Sequence, residues 1–225
     1  MTKSEAVRFV IIRTIGNFLV LFAIFGVFAI LGPAIYYEVI FRIMQVRGVS
    51  FAVATEQNKK TNISPGFADI LAGPKQQILI PIDTQFSILI PKIGANAKIF
   101  PNVDPGDPKI FLPVLQQGVA HARGTFFPGT SGNIYLFAHS TDNFWNVGRY
   151  NALFYLLKDL EKGDEVVVFY QNVRYNYIVS KSTVAEPEEV FYITNANTGQ
   201  ELLILQTCWP PGTTWKRLIV FAEPK

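Results

Sequence analysis

A single cysteine, Cys208, closes the apolar run Leu202-Leu203-Ile204-Leu205-Gln206-Thr207, and Arg217 follows nine positions later. A second apolar run, Gly132-Asn133-Ile134-Tyr135-Leu136-Phe137-Ala138, is closed by His139. A thiolate is a strong nucleophile, and a neighbouring cation both lowers a thiol's pKa and supplies a donor for an oxyanion. An imidazole can protonate a leaving amine and accept a proton from an incoming nucleophile. Cysteine, histidine and arginine at or near strand ends therefore form one candidate active site. Each also has a plainer role: a free cysteine is often a small buried hydrophobe, an arginine a solvated surface cation, a histidine a hydrogen-bond partner for a loop. His121, in Gly118-Val119-Ala120-His121-Ala122-Arg123-Gly124, competes for the histidine role, and spacing alone does not choose between them.

These residues need a frame, and composition limits what it can be. The chain has 225 residues, about half of them apolar, which suits one globular domain with an accessory segment. The formal charge of +3 is small and its Lys and Arg are scattered, which argues against a nucleic-acid partner. One cysteine excludes an intramolecular disulfide, and two histidines without cysteine pairs give no zinc or iron-sulfur framework, so no cofactor or metal is expected.

From Thr14 to Tyr37 the chain carries no charge, and Phe18 to Leu31 is apolar on every face. About 20 such residues cross a bilayer, whereas a cleaved signal peptide has an apolar core of only about 7 to 15. The reading is an uncleaved anchor over residues 14–37, preceded by a cytoplasmic N-terminus over 1–13. Lys3, Arg8 and Arg13 before the span, against Arg42, Arg47 and Glu38 after it, give a slight bias towards an internal N-terminus. Tyr36 and Tyr37 suit the interface. Residues 38–76 lose the long apolar periods and read as a juxtamembrane linker.

Residues 77–225 form the domain that must hold the site. Short β-branched or aromatic runs recur at Ile78–Ile80, Phe86–Ile90, Gly132–Ala138, Glu165–Tyr170, Arg174–Ser180, Leu202–Thr207 and Leu218–Ala222, with turn residues between them. This pattern predicts a mainly β sandwich or barrel. Gln171-Asn172 joins two runs as a hairpin, with Tyr175, Tyr177 and Val179 on one face. One amphipathic helix is expected from about Tyr150 to Leu160, with Leu153, Leu156, Leu157 and Leu160 on its buried stripe. Lys216, beside Arg217 on one strand, should face the opposite way. Trp145, Trp209 and Trp215 are candidate groove residues, although large aromatics are more often core.

Taken together, three blocks resemble the sortase family, the membrane-anchored cysteine transpeptidases of bacterial surfaces. Ile204-Leu205-Gln206-Thr207-Cys208 resembles the family's Thr-Leu-x-Thr-Cys signature, with Ile in place of the first Thr. Trp215-Lys216-Arg217-Leu218-Ile219-Val220 resembles the strand that bears the family's catalytic arginine. Leu136-Phe137-Ala138-His139-Ser140 resembles its Ala-Gly-His block, with Phe137 and Ala138 at the positions of Ala and Gly. Gly118 to Thr125 is most similar to the class D and E branches, and the Asp-Pro-aromatic lid motif of pilin polymerases is not seen before the barrel.

The resemblance implies an eight-stranded β-barrel with one or two short helices behind an N-terminal transmembrane helix. It implies Cys208, His139 and Arg217 as the catalytic residues and puts His121 outside the triad. The implied activity is cleavage of a C-terminal sorting motif of the Leu-Pro-x-Thr-Gly type in secreted proteins, through a thioester, with transfer to an amine at the cell surface. The catalytic domain would then lie on the extracytoplasmic side of a single-pass membrane protein. Its partners would be secreted proteins bearing a sorting signal and a cell-wall or protein amine. Two other readings remain: a sortase-fold peptidase acting mainly as a hydrolase, and a non-catalytic membrane-tethered barrel that binds peptides.

Overall fold

The computed structural model of the protein describes residues 3–46, 51–53, 77–140, 154–211 and 213–225. Helix α1 runs unbroken over Lys3–Val46, and its Ser4–Ala29 stretch is long and apolar enough to cross a membrane, with none of it covered by the rest of the protein. The strands, in chain order, are β1 (Phe51–Val53), β2 (Gln77–Leu79), β3 (Phe86–Ile90), β4 (Ala95–Val103), β5 (Val119–Ala122) and β6 (Asn133–Phe137). They continue with β7 (Glu165–Tyr170), β8 (Val173–Ala185), β9 (Leu202–Trp209) and β10 (Lys216–Pro224). Two further helices are α2 (Pro108–Leu115) and α3 (Phe191–Thr194).

Strands β3 to β10 form a closed eight-stranded barrel, as the family resemblance implies, in the order β10-β8-β7-β3-β4-β5-β6-β9. Closure matters physically because it leaves no strand edge without hydrogen-bond partners. Strand β9 completes the ring by pairing antiparallel with β10 and parallel with β6. The β7–β8 hairpin turns at Gln171 and Asn172, with φ of 50° and 65°. Positive φ at both central residues is the hairpin turn whose twist matches its strands.

Side-chain alternation then sorts residues into two faces. Leu203 and Leu205 of β9 enter the barrel interior with Ile88, Leu136, Val168 and Val220, all fully buried. Tyr177 and Val179 also face inward, and Tyr175 packs against them, as the hairpin alternation predicts. On the outer face Ile204, Ile219, Tyr135 and Phe137 form a second apolar cluster. Helix α2 covers one side of it with Phe111 and Val114, and α3 covers another with Tyr192 and Ile193. Asp107 caps α2 by accepting from the Lys109 amide at 2.9 Å, and Pro108 occupies its first turn.

Five elements differ from the sequence expectation. Strands β4 and β5 and helix α2 were not expected. Strand β4 buries alternate small residues, Ala95 and Ala97, so its apolar signal is weak, while the prolines around α2 read as loop. Strand β2 lies outside the barrel, paired in parallel with β1. Of the expected helix from Tyr150 to Leu160, residues 150–153 and Trp145 before it lie outside the described residues. The described part is a 3-10 turn at Tyr155–Asp159, with Leu157 and Leu160 in the core.

Gly132, at φ 151°, precedes β6 where a β-carbon would collide with the Phe126 ring. Gly132→Ala is therefore expected to lower the unfolding free energy by about 1–3 kcal/mol in urea titrations, with an unchanged m-value. An unchanged midpoint would show that the Phe126 ring is free to move aside.

Candidate active site

Cys208 and Arg217 are direct register partners across β9 and β10. Alternation places Cys208 on the outer face with Gln206 and Ile204, and Arg217 on the same side as Ile219. The Arg217 Nη1 donates towards Cys208 Sγ at 3.8 Å, and to the carbonyls of Thr214 and Lys216 at 3.0 and 3.1 Å. Those two carbonyls restrain the guanidinium beside the sulfur. Lys216 faces the other way, as alternation requires, and pairs with Glu186 at 2.8 Å.

His139 arrives from the other neighbour of β9. The β6–β9 ladder pairs Phe137 with Gln206, and the Ala138 amide extends it by donating to the Gln206 carbonyl at 3.1 Å. Ala138 packs in the barrel interior, and His139 is the next residue along the chain. The hydroxyl of Thr207, itself buried, donates to the Ala138 carbonyl at 3.1 Å. That bond ties the cysteine's strand to the residue before the histidine. The backbone carbonyl of His139 in turn accepts from the Phe154 amide at 3.3 Å. Both His139 and Cys208 are half-buried. Register thus sets Arg217 opposite Cys208, and the β6–β9 ladder runs the chain that leads into His139 alongside β9.

His121 is elsewhere. Its side chain is fully buried, stacks on Phe127 at 4.4 Å between ring centroids, and is held at both nitrogens. The Asn102 amide donates to Nδ1 at 3.3 Å, while Nε2 lies 2.9 Å from the Phe126 carbonyl. An amide donor at Nδ1 requires that nitrogen to be unprotonated, so the ring is neutral and donates from Nε2. Burial accordingly pulls its pKa below the ordinary value. His121 ties the turn before β6 to the end of β4.

The electrostatics of Cys208 differ from the sequence expectation. Burial pushes the thiol's pKa up, and Arg217 pulls it down by less. The thiol is therefore the main form at neutral pH. Arg217 offsets part of the desolvation without reversing it. The tryptophans also separate: Trp209 packs against the interior cluster, while Trp215 is 72% exposed. Among the described residues no cluster of His, Cys, Asp or Glu could hold a metal ion.

The sequence reading passed over one contact in this site. The buried Tyr135 hydroxyl donates to Gln206 Oε1 at 2.5 Å, two residues before Cys208 on the same face. The available signal was the alternation itself, since Gln206 is the polar residue on the Cys208 side of an otherwise apolar strand.

Residues 88–225 match the sortase domain model, and the chain belongs to the sortase family. Sortase D of Bacillus subtilis (strain 168) is 28% identical over 137 residues, which are 60% of this chain and 60% of that relative's length. The chain thus matches less than two thirds of that protein. Among solved structures, a Clostridium perfringens sortase D5 transpeptidase is 26% identical, covering 64% of this chain and 79% of that one with a TM-score of 0.51. Clostridium perfringens sortase C, solved with the C-terminal cell wall sorting motif, is 25% identical, covering 64% and 71% with a TM-score of 0.52.

Two measurements examine these environments. Iodoacetamide alkylation of Cys208 requires the thiolate, so its rate should keep rising with pH beyond the ordinary thiol midpoint of about 8.5. Arg217→Gln should move that midpoint higher still; a midpoint below the ordinary value would contradict the burial argument. For His121, the folded-state pKa is depressed, so its contribution to stability is full above the unfolded value of about 6.5 and is lost as pH falls towards the folded value. The unfolding free energy should therefore drop as pH falls below about 6.5, and drop less steeply in His121→Gln. Equal slopes would assign the acid sensitivity to other groups.

Proposed function

We propose that the protein is a membrane-anchored cysteine transpeptidase that cleaves a sorting motif of the Leu-Pro-x-Thr-Gly type and transfers the acyl part to an amine. The observation that carries this reading is the pairing of Cys208 with Arg217 across β9 and β10, with the His139 strand hydrogen-bonded along the other edge of β9. Membership of the sortase family supports it. So does the likeness to a sortase D5 transpeptidase and to a sortase C solved with a sorting motif.

In this mechanism the Cys208 thiolate attacks the carbonyl carbon that follows the motif's Thr, and negative charge moves to the carbonyl oxygen. The Arg217 guanidinium, already aimed at the sulfur, stabilises that oxyanion. His139 as imidazolium protonates the departing amine as the peptide bond breaks, which leaves a thioester on Cys208. An incoming amine attacks the thioester and loses a proton to His139, which releases the new amide and restores the Cys208 thiolate and the His139 imidazolium. Water in place of the amine gives hydrolysis by the same steps.

Helix α1 serves as the anchor, with the N-terminus inside and the barrel outside. Lys3, Arg8 and Arg13 precede the uncharged run that begins at Thr14, which agrees with that orientation. A tethered catalyst meets substrates emerging at the same membrane face at a raised local concentration.

The test incubates the protein with a sorting-motif peptide, with and without an amine, and follows Cys208 by mass spectrometry. A thioester on wild type and ligated product with the amine are expected, and Cys208→Ala should show neither. His139→Ala and Arg217→Ala should each reduce kcat/KM by at least about 100-fold. No adduct on wild type across a panel of sorting motifs would overturn the catalytic reading, and hydrolysed product alone with amine in excess would assign a peptidase.

A further inference from the structure

Gln206 stands at the family signature's variable position and shares the outer face of β9 with Cys208, one alternation step and about 6.8 Å away. Its carboxamide is oriented by a buried neighbour. The Tyr135 ring is 2% exposed, and a hydroxyl so placed needs an acceptor for its proton. Its partner is Gln206 Oε1 at 2.5 Å. That bond turns the Gln206 Nε2 away from Tyr135, and among the described residues no hydrogen bond uses its two protons. Burial raises the Tyr135 pKa far above the ordinary phenol value, so the hydroxyl keeps its proton and the orientation holds across the working pH range.

The face ends soon after Gln206. Ile204, next on the same side, is fully covered by the cluster that includes Tyr192 of α3. The acyl part of a substrate is held through both chemical steps, and it suits the side of Gln206. In an extended peptide, carbonyls two residues apart are spaced like Cys208 and Gln206 on their strand.

Resting on the acyl-transfer reading above, we propose that Gln206 is a positioning residue whose carboxamide N–H donates to the substrate backbone carbonyl two residues before the scissile one. Tyr135 orients that donor. The role is recognition of an extended acyl strand through its backbone, in addition to whatever side chains the motif carries.

The experiment measures Cys208 acylation by a sorting peptide and by the same peptide with a thioamide, a weaker acceptor, at that carbonyl. In the wild type the thioamide should raise KM about 3- to 10-fold, the range of one hydrogen bond, with kcat little changed. Gln206→Leu should show that raised KM with the ordinary peptide and no further penalty from the thioamide. Tyr135→Phe, which frees the carboxamide to rotate, should show a smaller rise. Urea unfolding of each variant separates misfolding from lost recognition. Acylation of the wild type with equal thioamide penalties in wild type and Gln206→Leu overturns this inference alone; no acylation of the wild type by any sorting peptide overturns the transferase reading beneath it.

Discussion

Strand β9 is hydrogen-bonded on both edges, parallel to β6 and antiparallel to β10, and the site depends on that double pairing. One edge sets Arg217 opposite Cys208, and the other aligns β6 and Ala138, the residue before His139, with β9. A slip of one residue on either edge would turn a whole strand's side chains to the wrong face. Register is held against such slips by the interior, where Leu203 and Leu205 of β9 are fully buried between Leu136 of β6 and Val220 of β10. Barrel packing and the geometry of the candidate site are therefore two faces of one constraint.

The outer face shows how a reactive group is kept at the edge of an apolar layer. Cys208 continues the line of Ile204 and Gln206, and half-burial alone would hold its thiol neutral. Arg217 partly offsets that cost, and its guanidinium is occupied with the Thr214 and Lys216 carbonyls as well as the sulfur. A cation positioned by backbone carbonyls needs little rearrangement when charge develops on a neighbouring oxygen. Thr207, pointing the other way, contributes through its bond to the Ala138 carbonyl, which joins the two strands that carry thiol and imidazole.

The described residues after the apolar stretch of α1 make contact with the barrel. Helix α1 continues to Val46, and Arg42 on it lies 3.7 Å from Asp159 of the barrel domain. Strand β1 follows at Phe51–Val53, pairs with β2, and buries Val53 against Leu89 and Val167 on the outside of the barrel. A partly exposed ion pair adds little by itself, whereas an apolar side chain buried against two barrel strands gives a lasting contact. The chain leaving the apolar helix is thus fastened to the barrel within a few residues.

Much was legible from sequence where the signal is local. The unbroken apolar stretch of α1, the Gln171-Asn172 hairpin and the β-branched runs of β3, β7, β9 and β10 all follow from periodicity and turn chemistry over short windows. Strand β4 was hidden because small alanines fill its interior positions, and α2 because prolines that suit a helix's first turn also suit loops. Residue chemistry likewise pointed to Cys208, Arg217 and a histidine. Resemblance alone favoured His139 over His121; in the structure His139 follows the strand paired with β9, while the His121 ring is enclosed and bonded at both nitrogens. Only the tertiary structure decided the net effect on the thiol, because desolvation and the Arg217 charge oppose each other and their balance depends on burial. The Tyr135–Gln206 contact joins residues 71 positions apart, a pairing that exists because β6 and β9 are neighbours in a closed barrel. Local patterns determine which strands form; the ring they close determines which side chains meet.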